Sequence, residues 1–289
     1  MSSALTWSDA RAVFRLLDEL GHLRHDTIAW RTRLVTELGA LVGAPIGVAG
    51  EATLGQFLNS ATHAGCIDTG WATDSDRRTW MSVCARAEPN LDPADRKIVE
   101  LEHCSFTAPR QTLALDREWY RSIIFNEHYR PAGIDHYILS HRGIPEFGCA
   151  HYLFLFRPRA DRPFSERERK LVHQFQKELG LSWREAAQSR LPRRLEQTLL
   201  LLQAGLSEKE VADRLNLSPT TIHDYCKALH KRFGVRSRPE LLARAQTLPK
   251  APRLILADNQ HGENRSIVSS VNSPKEHPAA FSSKTISKS

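Results

Sequence analysis

The chain has 289 residues, which suggests about two domains, and its 41% hydrophobic and 25% charged residues are typical of a soluble globular protein. No apolar run approaches the roughly 20 residues that a membrane-spanning helix needs. The N-terminus lacks the basic start and apolar segment of a secretory signal. Five scattered cysteines without a CxxC pair argue against a disulfide framework or a zinc ribbon. We therefore expect a cytoplasmic protein with reduced thiols and no membrane partner.

The net charge of +7 is concentrated in the C-terminal third of the sequence. Residues 1–190 hold 24 Lys/Arg against 24 Asp/Glu, whereas residues 191–248 hold 10 against 6 and residues 249–289 hold 6 against 3. A neutral body with a basic end is expected when only that end meets a polyanion.

The first 181 residues mix helical and strand-like patterns. In chain order they predict helices over 5–20 and 26–42, a strand over 43–51, helices over 75–87, 92–104 and 116–128, strands over 135–141 and 149–157, and a helix over 164–180. Asp26 caps the second helix, and Ser165 with Glu168 forms a capping box for the last, which we expect to stop at Gly180. This order predicts an α+β domain over residues 1–181.

Two further segments flank the remaining part of the chain. Residues 182–190 are predicted to be a linker that can be helical. Residues 249–289 are rich in Ser, Lys and Pro and have almost no apolar period. Such a segment cannot bury enough surface to offset its chain entropy, so we expect a disordered tail.

Between these segments the sequence carries the start and stop signals of short helices. A leucine-rich helix comes first. Ser207 and Glu210 form a capping box for a second helix that ends at Asn216. Ser218 is a good N-cap for a third helix, and Pro219 fits its first position because the missing N–H has no helical partner there. Two short helices joined by a tight turn form a helix-turn-helix.

The third helix, over 219–233, has two faces when its residues are placed at about 100° intervals. Its apolar face carries Ile222, Tyr225, Cys226, Leu229 and Phe233. Its opposite face is polar and mostly basic, and carries Thr220, His223, Asp224, Lys227 and Lys231. Such a face suits the major groove of duplex DNA, whereas an ordinary solvated helix face is the alternative. The two preceding helices and the charge asymmetry favour DNA.

The run "LPRRLEQTLLLLQAGLSEKEVADRLNLSPTTI" and the closing "RFGVRSRPELL" match one known pattern without gaps. With these residues, the segment 191–245 resembles the DNA-binding domain of LuxR-type transcription regulators. The resemblance implies an all-α, four-helix domain over 191–248 whose third helix enters the major groove. It also implies a fourth helix, here 238–247 with Ser237 and Glu240 as a capping box, that commonly forms a dimer.

Three positions depart from that family's pattern: His223 replaces the usual Lys, Tyr225 the usual His, and Leu195 the usual Glu. The resemblance implies contact roles for His223, Asp224 and Lys227. Asp224 repels phosphate but can accept a hydrogen bond from a cytosine amino group, and His223 could make binding sensitive to pH. The candidate DNA-contacting residues are Thr220, Thr221, His223, Asp224, Lys227, Lys231 and Arg232.

The N-terminal region shows a second resemblance. The runs "DTIAWRTRLVTELGALVGAPIGVAGE" and "GCAHYLFLFRPRADRPFSERERKLVHQF" are similar to GAF-type or PAS-like sensor domains that precede LuxR-type ends. The resemblance implies a domain that binds a small-molecule effector or mediates dimerisation. The candidate lining of a ligand pocket consists of Trp119, Tyr120, His136, Tyr137 and Tyr152. Plain core packing is the alternative for these aromatic residues.

Catalytic and metal-binding motifs are missing from the sequence. His128, His136, His141 and His151, with Cys149 nearby, have no HxH, HExxH or CxxC spacing. There is no GxSxG, GxGxxG or GxxxxGK motif. We therefore expect no enzyme, metal or cofactor.

The sequence thus predicts a transcription regulator that binds double-stranded DNA as a homodimer and is adjusted by residues 1–181. Two alternatives stay open. One is a sigma-factor-like initiation protein, although "FGVRSRPELL" argues against it. The other is an enzyme with a DNA-binding appendage that uses the histidines between 128 and 151.

Overall fold

A computed structural model of the chain describes residues 4–84, 92–188, 191–246 and 251–259. A three-layer N-terminal region has two apolar cores, one on each face of a central sheet, and a helical C-terminal region has its own core. The expected combination of an α+β region and an all-α region is confirmed. Among the described residues, no helix is long and apolar enough to cross a membrane.

The sheet is antiparallel throughout and has the strand order β2-β1-β5-β4-β3. Its strands are β1 (Ile46–Thr53), β2 (His63–Thr69), β3 (Phe106–Pro109), β4 (His136–Ile144) and β5 (Cys149–Arg157). The three central strands correspond to the predicted ones. The edge strands β2 and β3 are additional to the prediction.

Seven helices of the described N-terminal residues cover the sheet. They are α1 (Trp7–His22), α2 (Thr27–Val42), α3 (Asp74–Cys84), α4 (Asp95–Leu101), α5 (Arg110–Leu113), α6 (Asp116–Trp119) and α7 (Glu166–Gln188). As predicted, Asp26 caps α2 by accepting hydrogen bonds from the backbone N–H groups of Ile28 and Ala29.

The prediction of a single helix over 116–128 is wrong. Helix α6 ends at Trp119, and a separate π-helical turn covers Phe125–Tyr129. Between them the Ser122 hydroxyl donates to the carbonyl of Trp119 at 2.7 Å and accepts from the backbone N–H of Phe125 at 3.2 Å. A serine hydroxyl that forms such hydrogen bonds with nearby backbone groups competes with the regular backbone hydrogen bonds of a helix.

The two faces of the sheet bury different sets of residues. On β5, Leu153 and Leu155 belong to the core formed with α1, α2 and α7. Tyr152 and Phe156 belong to the core on the opposite face, together with residues of α3 to α6. Successive side chains of a strand point to opposite faces, so a strand buried on both sides is apolar nearly throughout.

Helix α7 starts as predicted and is longer than predicted. The Glu168 carboxylate accepts from the backbone N–H of Ser165 at 2.7 Å. The expected stop at Gly180 is wrong, because α7 continues to Gln188 and so includes most of the expected linker over 182–190. A Cβ atom at position 180 would lie 2.8 Å from Cδ of Arg142. This glycine therefore permits close packing on β4 rather than ending the helix.

The C-terminal region consists of α8 (Arg193–Gln203), α9 (Glu208–Leu215), α10 (Pro219–Phe233) and α11 (Arg238–Ala245). Both halves of the Ser207–Glu210 capping box are present, and Asn216 ends α9 in the left-handed conformation with φ of 53°. In α11 the expected box is only half formed. Ser237 accepts from the N–H of Glu240, but the Glu240 carboxylate accepts from the N–H of Arg236.

The expectation of a disordered tail is wrong for its first described residues. Residues 251–254 have no regular secondary structure and lead into α12 (Ile255–Asn259). Leu254 and Ala257 are 3% and 6% exposed and belong to the core between the sheet and α1, α2 and α7. These apolar residues find buried surface far away in sequence, which local composition does not reveal. Residues 260–289 lie outside the described ranges.

Candidate nucleic-acid interface

Helix α10 is held by its apolar face. Ile222, Cys226 and Leu229 are buried against residues of α8, α9 and α11, and Tyr225 and Phe233 are partly buried beside them. Burial, followed by the nearby Glu208, raises the pKa of the Cys226 thiol to about 11, so it is neutral and packs as a small apolar group. The N-terminus of α10 is fixed because Ser218 accepts from the N–H of Thr221 at 3.1 Å.

The opposite face of α10 is open to solvent. Six of the seven candidate DNA-contacting side chains are exposed: Thr220, His223, Asp224, Lys227, Lys231 and Arg232. Thr221 is half-buried, and its hydroxyl lies 2.8 Å from the Ser218 hydroxyl. The structure therefore gives Thr221 a place in the cap, while the others are accessible to a partner.

Two exposed contacts between polar side chains involve this face. Nδ1 of His223 lies 3.2 Å from the Glu208 carboxylate of α9, and their side chains are 56% and 44% exposed. Nζ of Lys227 lies 3.8 Å from the Asp224 carboxylate. Exposed pairs of this kind contribute about 0–1 kcal/mol. Lys227 can therefore exchange Asp224 for a phosphate at little cost.

Arg238 is an organising residue that the sequence reasoning missed. Its guanidinium donates to the carbonyls of Leu202 at 3.1 Å and Leu206 at 2.7 Å. These carbonyls lie at and just beyond the C-terminal end of α8, where helical partners run out. Arg238 thereby joins α11 to α8. No local sequence signal identifies this contact, because the two segments are more than thirty residues apart.

The aromatic candidates of the N-terminal region pack against neighbouring aromatic rings. Trp119 and Tyr137 are almost completely buried. The Trp119 indole N–H and the Tyr120 hydroxyl both donate to the buried Asp135 carboxylate, at 3.1 and 3.0 Å. His136 instead lies 3.2 Å from the Gln111 amide. A ligand-pocket role for these residues stays a prediction.

The histidines considered for a metal site have separate partners. His128 lies against Ser82, His141 against the carbonyl of Cys104, and His151 against Gln176. Among the residues that the structure describes, no three His, Cys, Asp or Glu side chains come together as metal ligands.

The geometry of α9 and α10, with its turn, buried inner face and basic outer face, defines a helix-turn-helix DNA-binding domain. Residues 189–245 match the family described as "Bacterial regulatory proteins, luxR family". The chain is thus a DNA-binding transcription regulator with a LuxR-family domain at these residues.

Comparison with solved structures gives only weak overall matches. A structure described as SdiA in complex with octanoyl-rac-glycerol has a TM-score of 0.37 and 11% identity, over 83% of this chain and 93% of that chain. A crystal structure of Escherichia coli SdiA has a TM-score of 0.33 and 13% identity, over 75% of this chain and 89% of that chain. A comparison with curated proteins finds no match.

Proposed function

We propose that this regulator binds specific duplex DNA as a homodimer, with α10 in the major groove and the N-terminal region adjusting its activity. The observation that carries the proposal is the division of α10 into a buried apolar face and an exposed, mostly basic face. The major groove is about 12 Å wide, which admits one α-helix with its side chains. Lys227 and Lys231 are assigned to phosphates, and His223 and Asp224 to base edges.

Adjustment by the N-terminal region is assigned to α7. This helix packs on the sheet through Leu171, Val172 and Phe175 and continues to Gln188, three residues before the buried Leu191 of the DNA-binding core. A continuous helix transmits a displacement of the sheet toward the helix-turn-helix. The GAF-like or PAS-like character of the region, and an effector bound to it, belong to this proposal.

Lys227→Ala tests the groove placement. The variant is expected to bind all DNA sequences more weakly and to lower the slope of log affinity against log salt by about one, because one phosphate contact is lost. Fluorescence anisotropy with a labelled duplex over a salt series measures both quantities.

Lys177→Ala on the exposed side of α7 is the matched control, since it removes the same charge outside the DNA-binding domain. Its salt slope is expected to equal that of the unaltered chain. If Lys227→Ala also keeps the unaltered slope, α10 does not lie against the phosphates and the proposal fails.

Asp224→Ala tests base recognition. Loss of this acceptor is expected to relax the preferred DNA site more than it weakens binding, because the carboxylate repels phosphates while it selects a base. Selection of binding sites from a random duplex pool measures the preference. If the variant selects the same preferred site as the unaltered chain, Asp224 does not recognise a base.

A further inference from the structure

The chain returns to its N-terminal region after the DNA-binding domain. Residues 251–257, called the C-terminal strap from here on, pack on that region. Pro252, Leu254 and Ala257 are buried, whereas the Arg253 side chain is exposed. The strap contributes Leu254 and Ala257 to the core beneath α1, α2 and α7, while the four helices of the DNA-binding domain have a separate core.

The N-terminal region holds the strap through its main chain. The indole N–H of Trp30 donates to the carbonyl of Arg253 at 3.2 Å, and that of Trp183 donates to the carbonyl of Pro252 at 2.7 Å. The N–H of Arg253 donates to the carbonyl of Arg24 at 3.0 Å. All three of these hydrogen bonds are to main-chain atoms of the strap, so they do not depend on the identity of its side chains.

A buried carboxylate completes the contact. Glu51 on β1 is fully buried and ion-paired with the fully buried Arg31 of α2. Its two carboxylate oxygens also accept from the backbone N–H groups of Ile255 at 3.0 Å and Leu256 at 2.8 Å. A buried charge is costly unless it is paired and hydrogen-bonded. Arg31 does not fill all the acceptor positions of the Glu51 carboxylate, and the two N–H groups of the strap fill others.

We propose that the N-terminal region contains a peptide-binding site, formed by Trp30, Glu51 and Trp183, which its own C-terminal strap occupies in cis. The ligand class is a peptide with apolar residues at the positions of Pro252 and Leu254, followed by a helical turn that presents two N–H groups to Glu51. The site is distinct from the polar face of α10 and does not depend on DNA binding.

Occupancy of this site fixes the DNA-binding domain at both ends. Helix α7 leads into it from one side, and the strap leaves it on the other. The backbone from Ala245 to Ala251 spans at most about 20 Å, so a docked strap limits how far α11 can move from the N-terminal region. Because few residues anchor it, the strap is expected to open more readily than the core strands.

Hydrogen–deuterium exchange of the full chain tests the site. The amides of Ile255 and Leu256 are expected to exchange slowly in the unaltered protein and at the unprotected rate in Leu254→Asp, while the amides of β4 and β5 stay protected in both. Arg253→Gln is the matched control, because it changes the net charge by the same amount on the exposed side of the strap. Loss of protection in this control as well, or fast exchange in the unaltered chain, would overturn the proposal.

Trp183→Phe provides a milder test that keeps an aromatic side chain, although a smaller one, and removes the indole donor. It is expected to speed exchange at the strap amides by up to about tenfold, the effect of one lost hydrogen bond. Trp71→Phe, which removes an indole N–H that donates to Asp68, is expected to leave these amides unchanged. Protection must also be independent of protein concentration, since dependence would mean that a second copy supplies the strap.

A synthetic peptide of residues 249–259 with a fluorophore at its N-terminus tests the vacated site directly. It is expected to bind the full-length Leu254→Asp chain saturably and the unaltered chain at least about tenfold more weakly, because the unaltered site is occupied. Equal binding to both chains, or no binding to the variant, would contradict a peptide site.

Discussion

The two regions of the molecule treat charge in opposite ways. The N-terminal region buries Arg31 with Glu51 and Arg157 with Glu168, together with several histidines. In the described part of the DNA-binding domain the one buried polar side chain is Thr198, and most charged side chains are exposed, whereas Arg238 is half-buried where it joins α11 to α8. Buried pairs join distant elements of the first region, whereas exposed charges leave the second free to meet a polyanion. Charged side chains therefore stabilise the first region as buried pairs, whereas most of those in the second region are available to contact a polyanion.

The largest expected effect comes from breaking a buried pair. Glu51→Ala leaves the guanidinium of Arg31 buried without its carboxylate and should lower the free energy of unfolding of the N-terminal region by about 3–5 kcal/mol. Urea unfolding followed by tryptophan fluorescence measures this region alone, because all six tryptophans lie between residues 7 and 183.

Glu19→Ala is the control for that variant, since it removes the exposed partner of Arg33 on the surface of the same region. Its effect is expected to be below about 1 kcal/mol. A Glu51→Ala effect as small as that of the control would mean that the buried charges do not distinguish the two regions.

A second effect, of intermediate size, concerns acid. Burial, followed by the charge of Arg31, lowers the pKa of His151 to about 3, and burial lowers the pKa of His141 to about 4. Below about pH 6.5 these two histidines bind protons in the unfolded chain but stay neutral in the folded chain. Stability of the N-terminal region should therefore have a positive slope against pH between about 4 and 6.5, so that it falls as the pH decreases through this range.

Tryptophan-detected urea unfolding at a series of pH values measures this slope. His151→Phe keeps a ring between Trp30 and Trp183 and should remove one histidine's share of the slope. His22→Phe, at the exposed end of α1, is the control because it removes a histidine that is not buried. An unchanged slope in His151→Phe would show that this histidine is not kept neutral by burial.

The smallest effect is expected where both regions follow the same local rule. Ser218→Ala removes the N-cap of α10 and Asp26→Ala removes that of α2, and each should cost about 1 kcal/mol. Thermal unfolding by circular dichroism should register both losses, whereas tryptophan fluorescence should register Asp26→Ala alone. A fluorescence shift in Ser218→Ala would show that the two regions unfold together.

The DNA-binding domain was predictable because its signals are local. Ser207 with Glu210, Asn216, and Ser218 with Pro219 lie within one turn of the helix ends that they define. The polar face of α10 follows from helical periodicity alone. The contact of Arg238 with α8 was not predictable, because it depends on how separate helices pack.

The N-terminal region was less predictable because its determinants are distant in sequence. The edge strands β2 and β3 are only partly buried, so they carry no clear alternation. Gly180 carries the local signal of a helix stop, yet its role is set by Arg142 on β4. The strap looked like a tail because its acceptor, Glu51, lies about two hundred residues earlier.

The strap also changes where the boundaries between the two regions of this chain lie. Its Leu254 belongs to the first region's core, so the DNA-binding domain is an insertion within that region rather than an appendage to it. The N-terminal unit is then discontinuous, made of residues on both sides of the helix-turn-helix. A chain cut after Ala245 would keep α8 to α11 and would still lose part of the N-terminal core. A different DNA-binding domain put in its place would have to join both α7 and the strap.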